Sequence, residues 1–182
     1  MFFGKKVEIS TIEKCLKEKG WKYLKVDDNT IFTGTGTPTG RFYGISVRLL
    51  TEKQTVLFLF NPLKRRVDIL EAIGTGSGFL KFHANEGHSS EIVAHACEIL
   101  SHWNFGLVLG NFERDQTDGE IRYRVAVPYR DGQLTCDQFH WCIVVSIGTM
   151  DMLLPKLEAL VEGRLSFEEV LGEGRPEGPR MV

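Results

Sequence analysis

Hydrophobic and polar positions change their period several times along this chain, and each change marks an element. From Ser10 the residues Ile12, Cys15 and Leu16 recur on one helical stripe, the spacing of a surface helix with a narrow buried line. Ser10 followed by Glu13 reads as a capping box at its start, and Gly20 as its stop, because glycine takes the left-handed conformation without a Cβ penalty. From Trp21 the period becomes two. Trp21, Tyr23 and Lys25 alternate with Lys22, Leu24 and Val26, and Asp27-Asp28-Asn29 turns the chain into a second strand from Thr30 to Thr33. Between Arg41 and Leu50, Tyr43, Ile45, Val47 and Leu49 form a core side opposite Phe42, Gly44, Ser46 and Arg48. Thr55 to Phe60 is apolar on both sides, which predicts a central or doubly covered strand.

From Asn61 to Asn85 the pattern is ambiguous: Val67 to Ile73 fits strand or helix, and Gly78 to His83 fits a further short strand. A helix follows from Ser89 to Trp103. Ile92, Ala96, Ile99, Leu100 and Trp103 share one arc of it, and Glu91, His95, Glu98 and His102 fill the other. The stretch from Asn104 to Tyr129 then reads as two runs flanking Asp118-Gly119, the dipeptide best suited to the positive φ angles of a tight hairpin. Thr135 with Gln138, and Leu134 with Phe139, supply a capping box and a hydrophobic staple for a long helix towards Val161, ended or kinked at Pro155. A short helix from Ser166 to Leu171 repeats both devices with Glu169, Leu165 and Val170. A tail rich in Gly, Pro and charge closes the chain. The elements fit one α+β domain over residues 1–172, an antiparallel sheet with helices packed on it in the order α-β-β-β-β-(β)-α-β-β-α, and a mobile tail over 173–182.

Composition narrows the function more than it identifies it. The 182 residues carry 42% hydrophobic and 25% charged side chains and a formal net charge of -2, so an electrostatic grip on nucleic acid is disfavoured. No apolar run is long enough for a membrane span. Cys15, Cys97, Cys136 and Cys142 form no Cys-x-x-Cys pair and follow no secretory signal. They read as small apolar residues of a reducing cytoplasm, Cys136 included despite its place near a helix start.

Candidate chemistry is sparse. Gly34 to Gly40 is followed by a strand pattern rather than a helix, which makes it a hairpin loop and not a phosphate loop, and Gly74 to Gly78 lacks the lysine that such a loop requires. The stripe of Glu91, His95, Glu98 and His102 could offer metal ligands, but its plainer meaning is a solvated face, since no second element is identifiable to complete the coordination. Glu120, Arg122 and Arg124 share one strand face, solvated or partner-binding. No nucleophile sits beside an identifiable base. The long helix is the most informative element. Beside its core line of Phe139, Cys142, Ile143, Met150, Leu153, Leu157 and Val161 it carries a second apolar stripe, Trp141, Val145, Gly148 and Met152. That stripe must be covered, by the first or last helix or by a partner.

The run Gly110-Asn-Phe-Glu-Arg-Asp-Gln-Thr-Asp-Gly-Glu-Ile-Arg-Tyr-Arg124, then Leu134-Thr135, Met150-Asp151 and Leu154-Pro155, resembles the bacterial YbjN-domain family. The match covers the C-terminal third well and the N-terminal half only in element order. The resemblance implies a type III secretion chaperone-like fold and a non-enzymatic, chaperone-like or regulatory protein, with no catalytic residue to carry over. The segment from Asn61 to His88 is extra to the family pattern. The expectation is therefore a cytoplasmic protein-interaction module without a cofactor, binding a protein partner or itself as a homodimer. Its binding residues would be Trp141, Val145, Gly148, Met152, Arg122 and Arg124. A small-ligand or metal-binding regulator is the alternative.

Overall fold

The structure is a computed structural model and describes residues 7–63, 89–117, 119–129 and 134–173. Helix α1 (Ile9–Glu18) is followed by strands β1 (Tyr23–Asp27), β2 (Thr30–Gly36), β3 (Phe42–Leu50) and β4 (Thr55–Leu63). Helix α2 (Ser90–Gly106) leads to β5 (Asn111–Arg114) and β6 (Ile121–Pro128), and α3 (Cys136–Val161) and α4 (Phe167–Glu173) close the described chain. The strands form one antiparallel sheet in the order β1-β2-β3-β4-β6-β5. The fold is α+β, as the periodicities require. The ambiguous runs from Val67 to Ile73 and Gly78 to His83, the glycines from Gly74 to Gly78, and the expected tail beyond Glu173 lie outside the described residues.

Alternation decides which face of the sheet is the core. Ile45 pairs with Phe60, Val47 with Phe58 and Leu49 with Val56; Val56, Phe58 and Phe60 in turn oppose Val127, Val125 and Tyr123. These residues, apart from the partly buried Val127, are buried in one cluster with Ile12 and Leu16 of α1, Ile99 and Trp103 of α2, and Phe139, Met150 and Leu157 of α3. Each large side chain so buried stabilises the fold by roughly 1.5–3 kcal/mol relative to exposure. The expectation that β4 is covered on both sides is met, since Leu57 and Leu59 on its other face are buried too.

Several helix ends behave as their residues dictate. Gly20 has φ +67°, and the amides of Gly20 and Trp21 bond the carbonyls of Lys17 and Leu16, a Schellman closure. Thr135 and Gln138 form the expected reciprocal capping box, and Ser166 and Glu169 exchange both bonds at the start of α4. Pro155 neither ends α3 nor prevents it from reaching Val161.

Three readings are corrected. Helix α1 begins at Ile9 with Glu8 at its cap and no side-chain cap bond, not at Ser10. Val7 and Ile9 are buried there, so packing extends the helix past the hydroxyl, while Glu13 accepts a bond from the Tyr23 hydroxyl. The run from Asn104 is not a strand: Asn104 to Gly106 are the last turn of α2, and β5 starts at Asn111. The hairpin turn is also wider than a two-residue turn, because Asp115 and Glu120 close it and the Gly119 amide returns to the Asp115 carbonyl.

The cysteines also depart from the expectation of four small apolar thiols. Cys15 and Cys136 are joined by a disulfide across 121 residues of sequence, tying α1 to the first turn of α3. Only Cys97, exposed, and Cys142, buried, are free thiols. Neither member of the pair has a neighbouring cysteine in sequence, so spacing gave no sign of the bond.

Candidate functional site

Helix α3 lies on the core face of the sheet, with α1 packed on it and α2 and α4 also in contact. Its inner line of Phe139, Cys142, Ile143, Met150, Leu153 and Leu157 is buried as expected, while Val161 at its end is only partly buried. Its outer line is open: Trp141 and Met152 are each 56% exposed and Val144 66%. Gly148 is exposed and Val145 is half-buried. Three of the four residues of the expected stripe, Trp141, Gly148 and Met152, are thus exposed, and neither α1 nor α4 covers them. The reading missed Val144, although its place three residues after Trp141 puts it on the same face. A Cβ built on Gly148 would meet nothing within 4 Å, so the glycine opens a shallow gap in the stripe.

The polar side of the same helix is fastened to the sheet. Asp151 accepts hydrogen bonds from Thr39 Oγ1 at 2.7 Å, Tyr43 Oη at 2.9 Å and Thr37 Oγ1 at 3.3 Å. Two turns later Glu158 takes both Nη groups of Arg41, at 2.7 and 2.6 Å. Burial, then the bond to Asp151, pushes the Tyr43 hydroxyl far above the usual phenol range. The Arg41 guanidinium is raised in turn by its hydrogen bonds to Glu158. The loop from Thr37 to Arg41 is the hairpin loop that the strand pattern after it implies, and it is clamped to α3. Nothing in the spacing of these residues announced that clamp.

Arg122 and Arg124 lie on one strand face, as expected, but both reach Glu113 of β5 at 3.0 Å. Burial alone would push the Glu113 carboxyl up, and the bonds from Arg124 and Arg122 outweigh it, holding the group below the usual carboxylate range. Glu120 accepts a hydrogen bond from Asn61 Nδ2. This face is a neutralised ladder, in which paired charges offer a partner less than unpaired ones would.

The stripe of the second helix comes apart in the structure. His95 stacks on Phe167 at 4.4 Å between ring centroids and 20° between planes, while Glu91, Glu98 and His102 are exposed. Among the described residues no three His, Cys, Asp or Glu side chains gather into a group that could hold a metal ion. At the last turn of α2 and the corner after it, Phe105 and Val108 are 96% and 91% exposed, a second apolar spot the periodicity hid within an apparent strand. The Asn104 amide seals the outer edge of β5 beside it, taking the Phe112 amide at 2.7 Å and donating to its carbonyl at 2.9 Å. Among the described residues no helix is long and apolar enough to cross a membrane.

No family model and no curated protein matches the chain, so the resemblance to the YbjN-domain family rests on the residues quoted for it. Among solved structures, a chain of the ExsC–ExsE complex aligns with 79% of this chain and 90% of its own length, at 13% identity and a TM-score of 0.47. At that level of likeness nothing about function passes from one to the other.

Proposed function

We propose that this chain is a non-enzymatic protein-interaction module whose binding face is the outer stripe of α3. One observation carries the reading: Trp141, Val144 and Met152 stand over half exposed along one line of a helix whose opposite line is fully packed. Large exposed apolar side chains that align in this way mark interaction surfaces more often than idle ones, and Trp and Met are enriched where proteins meet. The clamp of Asp151 and Glu158 on the sheet holds that helix in place, so a partner meets a face already set. Membership of the YbjN-domain family, a chaperone-like or regulatory role and a cytoplasmic location belong to the same proposal and draw on the quoted resemblance. In that compartment Cys15 and Cys136 face thiol reductants, and the mass gained on alkylation in cells reads whether the pair is open.

The test is a photo-activated cross-linking residue in place of Val144, expressed in the native host and irradiated. The expected result is a discrete protein adduct, whether of this chain with itself or with another protein, that disappears when Trp141→Glu is added. Cross-linking no stronger than from an exposed position on α2, such as Glu98, overturns the reading.

A further inference from the structure

Cys15 and Cys136 share one bond but have different surroundings. Cys15 lies inside α1 and is wholly buried. Cys136 is only partly buried and is the first residue of α3, directly after the Thr135 cap. A sulfur at that place sits at the positive end of a helix, which favours a thiolate over a thiol. One turn later on α3 stands His140, and helical side chains lean back over the turn before them. Its Nε2 lies 2.8 Å from the Cys15 carbonyl. A carbonyl only accepts, so Nε2 carries the hydrogen and Nδ1 of the neutral ring is an acceptor. That Nδ1 is buried and has no partner among the described residues, an exception that calls for a role. The charged groups nearest in sequence, Asp137 on α3 and the Lys14–Glu18 pair on α1, are exposed to water and act weakly there.

We propose that Cys15 and Cys136 are a redox-active pair rather than a permanent staple: a dithiol opens the bond at the Cys136 sulfur, and His140 Nδ1 takes the proton of the Cys136 thiol that results. None of these three residues belongs to the outer stripe of α3, so the two readings stand or fall separately. One thiol of the reductant, losing its proton, bonds to Cys136 Sγ, the less buried sulfur of the two. The Cys15–Cys136 bond breaks, and its electron pair goes to Cys15 Sγ, which takes up that proton and ends as a buried neutral thiol. The second thiol of the reductant then closes the reductant's own disulfide and releases Cys136 with the electron pair. Its proton goes to His140 Nδ1. Two electrons and two protons have passed to the protein, which now holds a thiol at Cys15 and a thiolate–imidazolium pair at Cys136 and His140. Both N–H groups of that ring are bonded, Nε2 to the Cys15 carbonyl and Nδ1 to the thiolate. Loop-closure entropy resists the opening, and the charge pair offsets part of it. A disulfide reagent reverses the steps, with Cys136 attacking first and Cys15 resolving.

The experiment treats the purified full chain with dithiothreitol and, in a parallel arm, with thioredoxin as a protein dithiol; circular dichroism shows that each variant is folded. The bond is expected to open in the folded chain. Opening by either reagent supports the pair, and the faster arm identifies whether the donor is small or a protein. In the folded Cys15→Ser chain, Cys136 should react with an aromatic disulfide reagent at least about 10-fold faster than Cys15 does in the Cys136→Ser chain, a difference that urea removes. Peptide mass spectrometry keeps Cys97 and Cys142 out of the count. The reduced chain should show ultraviolet thiolate absorbance that Cys136→Ser lacks. His140→Gln, whose amide can still donate to the Cys15 carbonyl, should lower that absorbance and slow Cys136 several-fold, which a purely structural histidine would not do. A bond that never forms, or one that resists both reagents until the chain unfolds, overturns the pair, as does Cys15 reacting as fast as Cys136 in the folded state. Absorbance and rate both unchanged in His140→Gln overturn the part given to the imidazole.

Discussion

Asp151 and Tyr43 are 108 residues apart in sequence, yet the Tyr43 hydroxyl donates to Asp151 Oδ1 at 2.9 Å. The Tyr43 ring is wholly buried and two threonine hydroxyls converge on the same carboxylate, so this acceptor serves three donors from the β2–β3 hairpin. Removing it leaves a buried hydroxyl unpaired, which costs about 1–3 kcal/mol before the threonine bonds are considered. Asp151→Ala is expected to lower stability by about 2–3 kcal/mol in urea denaturation, with Tyr43→Phe milder because it removes donor and need together. Equal losses from the two substitutions would show that the carboxylate is not the centre of the clamp.

Gly110 and Gly148 make opposite predictions from the same residue type. Gly110 has φ +74°, and a Cβ there would lie 2.6 Å from the Tyr123 ring and 2.7 Å from the Arg124 carbonyl. Backbone on one side and a buried ring on the other leave nothing that yields cheaply. Gly110→Ala should therefore cost more than the roughly 1 kcal/mol of left-handed strain alone, on the order of 2–4 kcal/mol. Gly148→Ala, in a helix interior with open space above it, should raise monomer stability by about 0.5–1 kcal/mol, while weakening any contact that uses the gap. Thermal unfolding of the two variants side by side checks both signs.

What the sequence disclosed depended on whether the deciding interaction was local. Strand faces from Tyr43 to Leu49 and the capping boxes at Thr135 and Ser166 involve neighbours within four residues, and the structure places them as their pattern implies. The start of α1 moved because burial of Val7 and Ile9 outweighed a hydroxyl cap. Phe105 to Leu109 looked like a strand because four of its five residues are apolar, but the Asn104 side chain and the left-handed Gly110 turn the chain there. Doubling of the apolar pattern on α3 was legible, whereas its exposure was not, since periodicity tells how many faces are apolar and not which elements lie over them. The clamp on Asp151 and the Cys15–Cys136 bond join residues more than a hundred positions apart and left no local trace.

The disulfide is the most consequential of these distant links for stability. Closing a loop of 121 residues removes unfolded-state entropy equivalent to about 4–5 kcal/mol in the loop-closure treatment. His140 Nε2 donates to the Cys15 carbonyl at 2.8 Å and Ile12 and Leu16 stay buried, so α1 is held by packing when the bond is open. The expected result is a large drop in denaturation midpoint on reduction with a dithiol, or in Cys15→Ser, with little change in far-ultraviolet dichroism below the transition. Titration of the unfolded protein without reductant should find two reactive thiols, Cys97 and Cys142, and with reductant four. Four thiols before any reduction would mean that the bond does not form.

Alkaline pH should unfold this protein through its tyrosines. Burial pushes the Tyr123 hydroxyl up to about 12, against a smaller lowering by a hydrogen bond with Thr149, and the hydroxyl donates to the Leu109 carbonyl. A phenol whose folded pKa lies above its unfolded value near 10 favours the folded state fully below pH 10. As pH rises further, the unfolded chain releases its proton first and stability falls until the folded pKa is passed. A separation of about two units corresponds to about 2–3 kcal/mol lost between pH 10 and 12, and Tyr43, raised in the same direction, steepens the decline. Urea midpoints measured from pH 8 to 11 should stay level below about pH 9.5 and then drop. Tyr123→Phe should start less stable and decline less steeply; an unchanged slope in that variant would assign the alkaline limb to other groups. Tyr123 packs against Gly110 and Phe112 at the base of the β5–β6 hairpin, so amide exchange in that hairpin should be the first to quicken as the pH climbs.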